Sequence, residues 1–221
     1  MTSWRRPRRS AIVELTDRDL VRLYWPVDLR PAFDALFGID DAFADVVTSS
    51  SQPALGAIRL AWWREALERL DQGPPPPEPR LQAAADELLP RGITGKELAA
   101  LEDGWATLLD EAPDFERIEG RGARLFAIGA KLLAADDPFL KKAGGAFALA
   151  QVRRMGGDGF SHSSFDLSSV RGHRFARRLR PLTAFARLAA RDFRRAMETE
   201  AEATPGRAAT VLIHFGFGFI A

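Results

Sequence analysis

The stretch PALGAIRLAWWREALERL, residues 53–70, sets apolar residues at helical spacing on two faces at once. Leu55, Ile58 and Trp62 mark one face, and Leu60, Trp63, Leu67 and Leu70 mark another. Apolar residues on two faces predict a buried helix, and a buried helix needs other helices around it. The flanks agree. Upstream, Asp17–Tyr24 opens a first helix that Pro26 breaks. Pro31 suits the first turn of a second, with Ala32, Leu36, Ile39, Phe43 and Val47 as its apolar stripe. Downstream, helices are predicted over about 80–89, 95–111, 118–135, 137–155, 178–199 and 205–220. Strand-like runs of Val, Ile, Thr and Tyr are scarce, and the chain has a single tyrosine. The expected fold class is all-α.

At 221 residues the chain reads as one domain, 1–221, with a basic N-terminal arm at 1–13. Gly73–Pro79 (GPPPPEP) cannot be helix interior and reads as a stiff Pro-rich loop between helices. Gly156–Ser169 is the longest loop-like segment. The absence of cysteine excludes disulfides, cysteine-ligated metals and a cysteine nucleophile. It fits a reducing, cytoplasmic setting. No apolar run reaches the ~18 residues that span a bilayer. The arginine-rich Met1–Ser10 has no apolar stretch behind it, which argues against a secretory signal.

The net charge of +1 hides an asymmetry. Residues 97–119 are rich in acids, whereas 153–195 are rich in arginine. In the arginine-rich helix, Leu179, Leu182, Phe185, Ala189, Phe193 and Met197 form the core stripe, and Arg180, Arg187, Arg191 and Arg194 another face. A solvated basic face is one reading; a phosphate- or partner-facing surface is the other. His162, His173 and His214 lack metal spacing, and His214 reads as a core or interface histidine. No Walker sequence, dinucleotide loop or nucleophile elbow is present. Asp41 and Asp45 (DAFAD) stand one turn apart on one helix face. Such a pair suits Mg²⁺ with substrate phosphates, or is two solvated acids.

From Asp17 to about Leu70 the sequence resembles the squalene/phytoene synthase family. The carrying stretches are DRDLVRLYWPVDLRPAFDALF and PALGAIRLAWWREAL, with Gly56, Arg59, Leu60, Trp62, Trp63 and Arg64 the most specific block. Weaker likeness continues through LEDGWATLLD, GRGARLFAIGAKLL and GGAFALAQVRRM, to about four-fifths of the chain. The resemblance implies a prenyl synthase-like helical bundle around a central apolar cavity, lined here by Phe37, Trp62, Phe147 and Met155. It implies head-to-head condensation of two prenyl diphosphates, with Mg²⁺ on aspartate-rich motifs and Arg59 and Arg154 on diphosphate. The sequence departs from that pattern. Met155 stands where the first aspartate of the second motif falls, and a thioether is a poor ligand for a hard ion. Gln151 replaces an asparagine, and the first motif's aspartate positions fall on Ala44 and Thr48.

Two readings follow. In the first, the chain is catalytically degenerate and binds a prenyl chain, a lipid or a protein partner, as in the branch associated with respiratory complex assembly. In the second, it is an active Mg²⁺-dependent prenyltransferase condensing farnesyl or geranylgeranyl diphosphates, with Asp41 and Asp45 on the metal. A third, of another class, is a basic module meeting anionic lipid or nucleic acid through the arginines of 171–195, with no specific nucleic-acid target. The closing run Val211–Ile220 reads as the last core helix, with peripheral membrane contact as its other reading.

Overall fold

Ten helices among the described residues follow from capping and apolar spacing. The computed structural model describes residues 15–156, 170, 172–194 and 201–216, and these contain no strand. Thr16 opens α1 (Asp17–Arg22) with a capping box: Asp19 accepts from the Thr16 N–H at 2.8 Å. Pro31 sits in the first turn of α2 (Arg30–Ser49). α3 spans Pro53–Arg69. The segment 73–78 lies outside any helix, and Pro79 starts α4 (Pro79–Glu87). Then come α5 (Gly95–Ala99), α6 (Glu102–Ala106), α7 (Phe115–Leu132) and α8 (Leu140–Arg154). The last two are α9 (Arg180–Arg194) and α10 (Pro205–Phe215). No helix of the described residues is long and apolar enough to cross a membrane.

One continuous core joins α1 to α10. Its centre is aromatic. Trp25 stacks on Phe33 and Phe37, and Phe37, Phe126 and Phe185 all meet Phe147, with ring centroids 5.4–6.2 Å apart. Such ring pairs add to the area they bury. α7 and α8 make the most extensive helix pair. They cross where Gly122 faces Gly144, with each backbone against the other. Of the stripe expected in α9, Leu182, Phe185 and Ala189 are buried and Phe193 is half-buried, while Met197 lies outside the described residues. Burial goes beyond that stripe, to Thr183, Ala186 and Ala190, because several helices cover α9; Arg187 and Arg191 are half-buried and Arg194 is exposed.

Two expectations are corrected. α3 is not buried all round. Gly56, Leu60, Ala66 and Leu67 face the core, but Leu55, Ile58 and Trp62 are 52%, 66% and 48% exposed. The helix packs on α2, α5, α6 and residues 107–109 mainly through one side, so its second apolar stripe stands largely exposed. The single helix expected over 95–111 breaks into α5, α6 and a 3₁₀ turn at Thr107–Leu109. Buried Leu98, Leu101 and Trp105 each need the core, and buried Thr107 accepts the Asp114 N–H at 2.8 Å to start α7. The arm 1–13, most of 156–169 and the end of the closing run lie outside the described residues.

Candidate functional site

A cleft of about 480 Å³ opens between α1, α8 and α9. Its floor is apolar, with Phe147 and Ala150 from α8 and Phe185, Leu188 and Ala189 from α9. Its rim is ionic. Arg207 is buried, and its guanidinium holds both Asp17 oxygens from Nε at 2.8 and 2.9 Å. Arg207 also pairs with Asp192. Arg154 donates to Asp192 at 3.1 Å and lies 3.7 Å from Asp17. Burial works against the Arg207 charge, but Asp17 and Asp192 outweigh it and raise its pKa above the ordinary value. Four elements (α1, α8, α9 and α10) are thereby tied at one corner of the cleft.

The structure brings three of the singled-out residues together: Asp41, Phe147 and Arg154 all line this cleft. Asp41 forms a bidentate pair with Arg18, Nη2 donating to Oδ1 at 2.7 Å. Burial lowers the Arg18 pKa, but Asp41 and then Asp40 raise it further, to above its usual value. Arg18 also lies over the Phe37 ring, 4.9 Å from its centroid. Phe37 is buried in the aromatic centre, next to Phe147. The other residues sit elsewhere. Asp45 is exposed and pairs with Arg80 at 2.7 Å. Arg59 donates to the Ser49 hydroxyl at 3.2 Å, at the α2–α3 corner. Trp62 is on the outer face of α3, and Met155 caps α8 at 38% exposure, so neither is a core residue.

Mg²⁺ does not fit the donors as they stand. Both oxygens of Asp41 are taken by Arg18, and Asp45 is turned to Arg80 on another helix. A hard cation needs several free oxygens converging on one point. Among the described residues no group of three or more His, Cys, Asp or Glu side chains is placed to hold a metal.

Spacing did not single out the most buried charges. Asp40 and Arg121 are fully buried and pair at 2.7 Å. The Trp105 indole N–H donates to Asp40 at 2.8 Å, and the Arg121 guanidinium stacks 4.0 Å from the Trp105 ring centroid. Arg121 also donates to the Gln151 side chain at 2.9 Å, so this pair fixes a residue of the cleft wall. A signal was present. Asp40 lies in the apolar stripe of α2 between Leu36 and Phe43, and Arg121 lies between Ile118 and Leu125 in that of α7.

Family models, curated proteins and solved structures yield no match to this chain.

His214 shows how the adjoining α9–α10 contact is wired. Arg187 Nε donates to its Nδ1 at 3.4 Å, and its Nε2 is 2.9 Å from the Thr183 hydroxyl, which itself donates to the Leu179 carbonyl. This wiring holds the neutral ring with its proton on Nε2. Burial, then the Arg187 and Arg180 charges, pushes its pKa down to about 4 from an ordinary 6.5. The unfolded chain therefore takes up the proton first as pH falls. This contribution to stability is complete above about pH 6.5 and is lost towards pH 4, for a total on the order of 3 kcal/mol. His214→Gln is expected to flatten the fall in melting temperature between pH 6.5 and 4. Parallel wild-type and variant profiles would refute the assignment.

Proposed function

We propose that the chain is a non-catalytic binding protein on a squalene/phytoene synthase-like frame, holding a prenyl or lipid amphiphile in the α1–α8–α9 cleft. One observation carries this reading: the cleft joins an apolar floor to Asp41 and Arg154, while both side chains are already committed to oppositely charged partners. A carboxylate bound bidentately by arginine is a poor ligand for the Mg²⁺ that ionisation of an allylic diphosphate requires. The floor still offers a prenyl chain an exit from water. The volume falls within the range of small-molecule sites. The aromatic centre, where Phe37, Phe126 and Phe185 pack on Phe147, supports the non-catalytic part of this reading, since it is filled by side chains.

The test uses farnesol and farnesyl diphosphate, each with and without Mg²⁺, against the full chain. Both ligands are expected to raise the melting temperature equally with and without the metal, and no condensed product forms. At a hundredfold excess over Kd the stabilisation is about 2.7 kcal/mol, or roughly 5–10 °C for a chain of this size. Ala150→Leu, which narrows the floor, is expected to abolish the shift while leaving the unliganded protein folded. A condensed product that disappears in Asp41→Ala or Asp45→Ala would establish the active prenyltransferase instead. No shift with either ligand would sink the amphiphile reading and turn attention to a protein partner, with the uncovered α3 stripe as its contact surface.

A further inference from the structure

A second cleft, of about 510 Å³, lies on the opposite side of α9, between that helix, α10 and residues 172–175. Arg180, Arg187 and Arg194 project into it from α9 at intervals of seven residues, a spacing that puts them on one helix face about 10 Å apart. Arg174 faces them from the neighbouring segment, and Thr210 and His214 come from α10. No Asp or Glu lines this cleft among the described residues. The contrast with the first cleft is chemical. There, Arg18, Arg154 and Arg207 each meet a carboxylate. Here, Arg180 donates to a backbone carbonyl, that of Phe215, at 3.1 Å. Among the described residues no carboxylate pairs with Arg174, Arg180 or Arg194. The nearby acid, Asp137, is engaged by His173 at 2.7 Å on the rim, and Asp192 of α9 points away to Arg207.

Arg174, Arg180 and Arg194 are like charges with no paired carboxylate among the described residues, an arrangement that costs stability and is matched to a ligand that brings the opposite charge. The guanidinium's planar fork suits phosphoryl oxygens, which it binds bidentately. Thr210 adds a neutral hydroxyl and the His214 ring stays uncharged, so among the described lining residues the arginines outweigh the one carboxylate at the rim, Asp137, and make the field positive. Phe175, Ala190 and Ile213 give the cleft an apolar side as well. We infer that this cleft is a binding site for a phosphoryl group, either free in solution or on a lipid headgroup, held by Arg174, Arg180 and Arg194. The inference is independent of the amphiphile reading of the first cleft.

Two probes separate the sources: inorganic pyrophosphate followed by calorimetry, and sedimentation with vesicles of phosphatidic acid in phosphatidylcholine against pure phosphatidylcholine. Arg174→Gln/Arg194→Gln removes two exposed side chains of the cleft and leaves the core untouched. Arg177→Gln/Arg178→Gln removes the same charge from exposed positions that do not line it. The first pair is expected to weaken binding at least tenfold, and the control pair less than twofold. Arg180→Gln alone should weaken it severalfold. Pyrophosphate binding, competed by excess phosphate, identifies a free phosphoryl ligand. Binding to phosphatidic acid vesicles without pyrophosphate binding identifies a headgroup. Equal losses in the two double variants would reduce the effect to general charge attraction and overturn the site, as would no binding in either arm.

Discussion

Gly144→Ala is expected to lower the melting temperature by roughly 6–12 °C, from a loss of about 3 kcal/mol at 2–4 °C per kcal/mol. An added Cβ on Gly144 would lie 2.6 Å from the Gly122 carbonyl carbon, closer still to its oxygen, and 2.9 Å from the Ala123 nitrogen. These are backbone atoms of α7, so no rotamer change relieves the clash. The helices would have to separate, and the largest helix pair of the fold would lose its contact. Gly38 provides the comparison. It lies inside α2, and a Cβ there meets nothing within 4 Å. Gly38→Ala should therefore stabilise by about 0.5–1 kcal/mol, through the unfolded chain's lost freedom and better helix propensity. Thermal denaturation of the two variants side by side decides the matter. A Gly144→Ala protein melting with the wild type would mean that α7 and α8 do not cross this closely.

The second large effect belongs to Asp40. Asp40→Ala is expected to cost about 3–5 kcal/mol, because it leaves the Arg121 guanidinium buried without its counter-charge. The pair itself is not well satisfied: Asp40 Oδ2 and Arg121 Nε are buried and have no hydrogen-bond partner. An apolar replacement of the whole unit should then be tolerated. Asp40→Leu/Trp105→Phe/Arg121→Met also removes the indole N–H that Asp40 accepts, and is expected to recover at least half of the loss. Urea denaturation of the single and triple variants measures both. A loss below about 1 kcal/mol for Asp40→Ala would show that water reaches the pair. The triple variant also tests the cleft: without Arg121, Gln151 loses its 2.9 Å anchor, so ligand affinity should fall more than stability does.

The apolar stripe of α2 was legible in the sequence because it follows one helical period, whereas that of α9 was legible only in part, because α8, α10 and α1 cover that helix on several sides. Period alone says how a helix can pack, not whether anything covers it, which is why α3 read as buried while Leu55, Ile58 and Trp62 stand exposed. The break between α5 and α6 was illegible for a related reason: it is set by what Leu98, Leu101 and Trp105 meet in three dimensions. At the candidate site, the DAFAD spacing drew the eye to Asp41 and Asp45, which face different arginines from different helices. The acid that the fold buries is their neighbour, Asp40. Its cue was polarity inside an apolar stripe and not spacing to another acid. The Asp17–Asp192–Arg207 cluster had no local cue, since its members are distant in sequence.

That cluster also makes the two ends of the described fold depend on each other. Asp17 and Arg207 are 190 positions apart, so the α1 carboxylate takes its buried cation from the far end of the sequence. Without α10, Asp192 and Asp17 would share only Arg154 among the described residues, with two negative charges on one cation. Docking of α10 relieves this repulsion and closes the corner. A chain truncated before α10 therefore lacks the cation that locks α1 in place, and protease should cut α1 faster in it than in the full chain.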